Sequence, residues 1–136
     1  MNFIVNILSL GIPFSVALLI ASLGEMFNQR SGIFNLGCEG IMAMGAFLGM
    51  LIPYSIGQGG PTPGIYNVLG LALAMAVGAL FGLLFGFVVV TFRAPQGIAG
   101  IGLQMFGVGT AGTLFRHFIG GTQSVPGIGN LPIPGL

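Results

Sequence analysis

The chain has 136 residues, of which 54% are hydrophobic and 4% are charged, and its formal net charge is +1. This composition is typical of an integral membrane protein, because a soluble domain of the same length needs far more polar surface. No basic run is present, which argues against nucleic-acid binding, since that rests on several contacts between basic side chains and phosphates.

The residue types present leave little material for catalysis. The chain contains no lysine, so it lacks the side chain that a P-loop ATPase places on the nucleotide phosphates. Cys38 is the single cysteine, which excludes an intrachain disulfide and favours a small apolar filler. His117 is interpreted as an interfacial residue at a helix end, with a proton relay as the less favoured alternative. We therefore predict no enzyme activity, no catalytic residue, no metal site and no cofactor.

Hydropathy predicts four membrane-spanning helices and hence an all-α polytopic transmembrane bundle. The spans cover roughly residues 3–23, 35–52, 65–92 and 98–118. Gly11 and Pro13 are expected to kink the first span, and the second is short for a full crossing or is broken by its glycines. Segments rich in Gly and Pro at 53–64 and 120–136 are predicted to be a loop and a tail.

The arginines predict the orientation of these spans. Arg30 follows the first span and Arg93 follows the third, so both lie on one side of the membrane. By the positive-inside rule that side is the cytoplasm, and the N-terminus is then outside. Arg116 falls on the outer side and is the one exception.

Small residues recur every four positions along the third span, and the second span repeats the spacing. Such a stripe allows a neighbouring backbone to approach closely, because lipid provides no hydrophobic drive between helices. The residues predicted to pack in this way are Gly45, Gly49, Gly70, Ala74, Gly78, Gly82 and Gly86.

Glu25 and Glu39 are the only acidic residues. A carboxylate at the centre of a bilayer costs about 2.5–3.5 kcal/mol on insertion scales, so both are expected either to line a polar pathway or to make a packing contact. Arg30 is near enough in sequence to form an interfacial ion pair with Glu25 or Glu39.

Three polar residues are candidates for a pathway or gate. Asn35 and Glu39 are four residues apart and share a face if the second helix has begun by then. Gln104 lies deep in the fourth span, where it is either a pathway group or a hydrogen-bonding residue between helices, the reading we favour.

The segment 25–49 resembles the permease subunits of bacterial ABC importers for simple sugars and nucleosides. These belong to a broad permease family that also serves ribose and branched-chain amino acids. The resemblance is strongest in the motifs Arg30-Ser-Gly, Asn35-Leu-Gly and Glu39-Gly. Similar matches follow in order at Arg93-Ala-Pro-Gln, in the glycine-rich run 100–104, and in the tail 126–136.

The resemblance implies a multi-pass permease of the bacterial inner membrane that carries a nucleoside or simple sugar. Its implied partners are a second, homologous permease subunit, a cytoplasmic ABC ATPase, an extracytoplasmic substrate-binding protein and membrane lipid. Family members are longer, so residues 1–136 are expected to be one incomplete permease domain, either an N-terminal part or the product of a truncated or split gene. The alternatives are a small self-assembling channel or carrier and a non-transporting membrane assembly partner.

Overall fold

Residues 2–57 and 64–120 are described by a computed structural model, and they form four α-helices and no strand. The helices are α1 (Asn2–Arg30), α2 (Cys38–Gly57), α3 (Gly64–Thr91) and α4 (Gln96–Ile119). All four are long and apolar enough to cross a membrane. The predicted all-α transmembrane bundle is therefore confirmed for the part of the chain that is described.

Three helix boundaries differ from the predictions. The first helix continues past residue 23 to Arg30, because a single glycine such as Gly24 is tolerated inside a helix and no proline follows it. The second helix begins at Cys38 instead of residue 35. It also continues through Pro53, so the predicted loop was wrong as far as Gly57. The rest of that loop, 58–63, and the tail from 121 lie outside the described residues.

Helix α2 lies at the centre and packs against both α3 and α4, whereas α3 and α4 meet less extensively. A small buried cluster joins the three helices: Met44, Phe47, Phe81, Ala111 and Ile119. Two aromatic pairs extend it, with ring centroids 6.5 Å apart for Phe47–Phe118 and 6.1 Å apart for Phe81–Phe106.

Glycines bring α2 and α3 close together at one crossing. A Cβ atom added at Gly49 would lie 3.3 Å from Cβ of Ala74 and 3.5 Å from the carbonyl oxygen of Gly70. A Cβ added at Gly70 would overlap the carbonyl oxygen of Gly49. This is the close backbone approach that small residues permit between membrane helices.

The rest of the predicted stripe divides into two parts. Added Cβ atoms at Gly45 and Gly78 would make ordinary contacts at 3.8 Å, with Ala74 and Ile41 respectively. At Gly82 and Gly86 an added Cβ would meet no atom of the described residues within 4 Å apart from its chain neighbours and the nearby backbone of its own helix. These two glycines are therefore placed away from the α2–α3 contact.

Helix α1 is almost separate from the other three. Its residues from 3 to 20 are all exposed, and among residues 3–30 only Ala21 and Glu25 are half-buried. Its attachment to the rest of the described chain lies at its C-terminal end, where the polar residues are.

Candidate functional site

The connector, residues 31–37, joins α1 to α2 without regular helical structure. The N–H groups of Ser31, Gly32 and Ile33 donate to carbonyl oxygens in the last turns of α1. Those of Phe34, Asn35 and Gly37 donate to side-chain oxygens. Irregular backbone at membrane depth is tolerated only when its polar groups find protein or water partners, and most of the donors here have protein partners.

Gln96, the first residue of α4, binds the connector through both the oxygen and the nitrogen of its side-chain amide. Its Oε1 accepts a hydrogen bond from the N–H of Phe34 at 2.8 Å, and its Nε2 donates to the carbonyl oxygen of Gly32 at 3.1 Å. One side chain thus ties the connector to the start of a helix more than sixty residues away in sequence. In the sequence analysis Gln96 was the last residue of the Arg93-Ala-Pro-Gln motif, and no contact was predicted for it.

Glu25 and Asn35 shape the connector from the α1 side. The Oε1 of Glu25 accepts a hydrogen bond from the N–H of Asn35 at 2.8 Å, and its Oε2 accepts one from Nδ2 of Asn28 at 3.3 Å. Asn35 is buried, with 7% of its surface exposed. Its Oδ1 accepts from the N–H of Gly37 at 2.8 Å. Asn35 therefore precedes α2, and the predicted helical face shared with Glu39 is not formed.

The predicted ion pair among Glu25, Arg30 and Glu39 is not formed between these described residues. Arg30 lies five positions after Glu25 on the same helix, beyond the three- and four-residue spacings that bring side chains together. The carboxylate of Glu25 is directed to the connector, and that of Glu39 is directed to α4.

The connector and the first turn of α2 pack closely against the backbone of α4. A Cβ atom added at Gly100 would lie 2.8 Å from the backbone nitrogen of Leu36. One added at Gly40 would lie 2.7 Å from Cα of Gln104, and one at Gly107 would lie 2.6 Å from the carbonyl carbon of Gly40. Sequence reasoning missed this crossing. Its signal was the recurrence of small residues along α4, at positions 100, 107 and 111.

Because Gly40 contacts Gln104, the first turn of α2 lies beside the third turn of α4 and not beside its first turn. Gln104 lies eight positions after Gln96, which corresponds to about 12 Å along a helix. The hydrocarbon core of a bilayer is about 30 Å thick. If Gln96 marks the membrane surface, then Glu39, which contacts Gln104, lies more than a third of the way through the core.

Glu39 and Gln104 form a polar pair between α2 and α4. The Nε2 of Gln104 donates a short hydrogen bond to Oε2 of Glu39. Glu39 is in the first turn of α2, where the helix dipole favours a negative charge. Of the three candidate pathway residues, the structure therefore brings together Glu39 and Gln104 and places Asn35 in the connector.

Two apolar grooves flank α4. The α2–α4 groove has a volume of about 400 Å³ and is lined by Ala43, Ala46, Phe47, Met50, Val108, Ala111, Gly112 and Phe115. The α3–α4 groove has a volume of about 240 Å³ and is lined by Leu84, Phe85, Val88, Ala99, Gly102, Leu103 and Phe106. In the described segments, no group of three or more His, Cys, Asp or Glu residues is placed to hold a metal ion.

Four helices of membrane-spanning length and hydropathy, two of them joined by a polar pair, define a multi-pass membrane protein. Residues 4–133 match the family described as branched-chain amino acid transport system / permease component, and the chain belongs to that family. No solved structure matches the chain significantly.

Three curated relatives are similar to nearly the whole chain or most of it. The guanosine ABC transporter permease protein of Bacillus subtilis is 34% identical over 149 residues, covering 97% of this chain and 46% of that protein. The nucleoside ABC transporter permease protein of Lactococcus lactis is 28% identical over 132 residues, covering 90% and 41%. A putative glucose ABC transporter permease protein of Haloferax volcanii is 29% identical over 109 residues, covering 80% and 31%. The chain thus spans less than half the length of each of these relatives.

Proposed function

We propose that the chain forms part of the permease subunit of an ABC importer that carries a nucleoside or a simple sugar across the bacterial inner membrane. Membership of the permease family and the names of the relatives support this function. The structural observation that supports it is the Glu39–Gln104 pair, a hydrogen bond between the side chains of two helices that are long and apolar enough to cross a membrane. Polar groups in that position are typical of solute pathways in transporters.

The proposed mechanism assigns the power stroke to other chains. This chain contains no lysine for a P-loop, which supports ATP hydrolysis on a separate cytoplasmic ATPase. A second permease subunit completes the pore, and an extracytoplasmic binding protein delivers the solute. Closure of the ATPases tilts the permease helices, so that a pathway between them opens to alternate sides.

Glu39, Gln104 and Asn35 have distinct roles in this proposal. The pair offers a carboxylate acceptor and an amide group to the hydroxyl groups of a passing solute. Asn35 determines where α2 begins, because its side-chain oxygen accepts a hydrogen bond from the N–H of Gly37 just before the helix. The height of Glu39 in the membrane therefore depends on the connector.

We also propose that Arg30 and Arg93 face the cytoplasm and that the N-terminus is outside. Cysteines replacing either arginine, in a Cys38→Ala background, are expected to resist a membrane-impermeant maleimide in intact cells and to react after lysis. A cysteine replacing Arg116 is the matched control and is expected to react in intact cells. Reaction of the first two in intact cells, with protection of the third, contradicts this orientation.

Uptake by cells tests the proposed function. Deleting the gene for the full-length protein is expected to abolish uptake of a radiolabelled nucleoside or of a radiolabelled sugar, and a plasmid copy should restore it. Leucine uptake is the matched control, because the family description names branched-chain amino acids. Loss of leucine uptake alone, with nucleoside and sugar uptake intact, contradicts the proposal.

A further inference from the structure

The polar pair lies at one end of the α2–α4 groove. Ala43 follows Glu39 by four residues on α2, and Val108 follows Gln104 by four residues on α4. Residues four apart lie on the same face of a helix, about 6 Å apart along its axis. The groove therefore begins one helical turn beyond the pair on both helices. The residues that line the α2–α4 groove are themselves apolar, so the polar groups at this end of it are those of Glu39 and Gln104.

The hydrogen-bonding capacity of the pair is only partly used. One carboxylate oxygen of Glu39 accepts the bond from Gln104, and the amide oxygen of Gln104 has no partner within the described segments. Glu39 is exposed and Gln104 is half-buried, so both remain accessible. The pair can therefore accept and donate further hydrogen bonds to a molecule in the groove.

The walls of the groove suit an apolar surface. Phe47 is buried and Phe115 is half-buried, and the other lining residues carry small or aliphatic side chains without a hydrogen-bonding group. A hexose carries hydroxyl groups around its whole ring, and several would lose their partners between such walls. A nucleoside has a planar base with apolar faces that pack on aromatic side chains and a ribose with hydroxyl groups at one end.

From this match we infer that the α2–α4 groove binds the transported solute and that this solute is a nucleoside. The base lies between the apolar walls, and the ribose hydroxyl groups reach Glu39 and Gln104. A volume of about 400 Å³ lies within the range of small-molecule sites. This inference rests on the proposed function and adds to it the site and the choice between the two solute classes.

Two glycines of α4 provide a matched test in the full-length importer. Gly112 lines the α2–α4 groove and Gly102 lines the α3–α4 groove, and a Cβ atom at either position meets nothing within 4 Å in the described chain. Gly112→Leu is expected to lower nucleoside uptake about tenfold or more at unchanged membrane abundance. Gly102→Leu is expected to leave uptake at the wild-type level.

Cysteine protection identifies what occupies the groove. In purified full-length protein with Cys38→Ala, alkylation of a cysteine replacing Ala46 is expected to be slowed by saturating guanosine and not by glucose. A cysteine replacing Gly102 is the control and is expected to show no protection. Protection by glucose alone overturns the choice of nucleoside. Absence of any protection overturns the site and leaves the groove to lipid or to another helix.

The two proposals fail in different ways. If the wild-type importer takes up no nucleoside and no sugar, the proposed function is wrong. If wild-type nucleoside uptake is intact and Gly112→Leu matches Gly102→Leu, only the groove assignment is wrong.

Discussion

Gly107→Ala is expected to destabilise the protein by about 2 kcal/mol or more, whereas Gly109→Ala is expected to be neutral or stabilising by up to about 1 kcal/mol. An added Cβ atom at Gly107 would lie 2.5–2.7 Å from the backbone atoms of Gly40. Backbone atoms cannot rotate away as a side chain can, so α2 and α4 must separate. At Gly109 the same atom meets nothing within 4 Å in the described chain, and only the higher helix propensity of alanine remains.

Thermal unfolding of the two purified variants in the same detergent measures this difference. The midpoint for Gly107→Ala should fall clearly below that of the wild type, and the midpoint for Gly109→Ala should not. Equal midpoints for the two variants would show that α2 and α4 do not cross at Gly40 and Gly107.

Gln104→Glu is expected to destabilise the contact between α2 and α4 by about 2 kcal/mol, and adding Glu39→Gln should restore most of the loss. The single variant places two carboxylates where an amide now donates to a carboxylate. One of them must then take up a proton or move away. The double variant Glu39→Gln/Gln104→Glu again pairs an amide with a carboxylate, with the two groups exchanged between the helices.

The double variant tests whether the two side chains contact each other specifically or whether the site simply tolerates any polar group. Stability of the four proteins, wild type, two single variants and the double variant, forms a double-mutant cycle. A coupling energy near zero, with the effects of the single variants adding in the double variant, would show that the two side chains do not interact. The same cycle measured by uptake reports whether the contact also matters for transport.

Much of the fold was predictable because hydropathy reflects the membrane and requires no knowledge of tertiary contacts. The third and fourth spans were predicted to within about two residues at each end, which is the usual uncertainty of helix boundaries. Both are continuous apolar helices bounded by glycine, proline or polar residues. Such boundaries depend on the local sequence.

The start of α2 could not be predicted in this way. Residues 35–37 have no strong helix breaker beyond a single glycine, and the irregular conformation of the connector depends on Glu25, which binds Asn35, and on Gln96, which binds Gly32 and Phe34. The two contacts with Gln96 connect residues more than sixty positions apart. The sequence pattern of residues 31–40 alone therefore cannot reveal that Gln96 will bind the connector.

The candidate site was predictable in its residues and only partly in its contacts. The high cost of charge in lipid pointed to Glu39, and the depth of Gln104 pointed to a bond between helices. The expected ion pair with Arg30 rested on proximity in sequence alone, and the geometry of α1 does not bring Arg30 to either glutamate. Predicting the glycine crossing of α2 and α4 would have required matching the spacing of small residues on α2 with their spacing on α4.

The depth of Cys38 in the membrane tests most directly whether the connector carries the start of α2 below the membrane surface. Cys38 is the native cysteine at the first position of α2, and Ser31 is exposed at the first position of the connector. A nitroxide on Cys38 of the reconstituted full-length protein, with any other cysteine replaced, should be relaxed more by oxygen than by an aqueous nickel chelate. A nitroxide on a cysteine replacing Ser31 should show the reverse preference. Preferential relaxation by the nickel chelate at both positions would place Glu39 at the surface and contradict a polar pair at membrane depth.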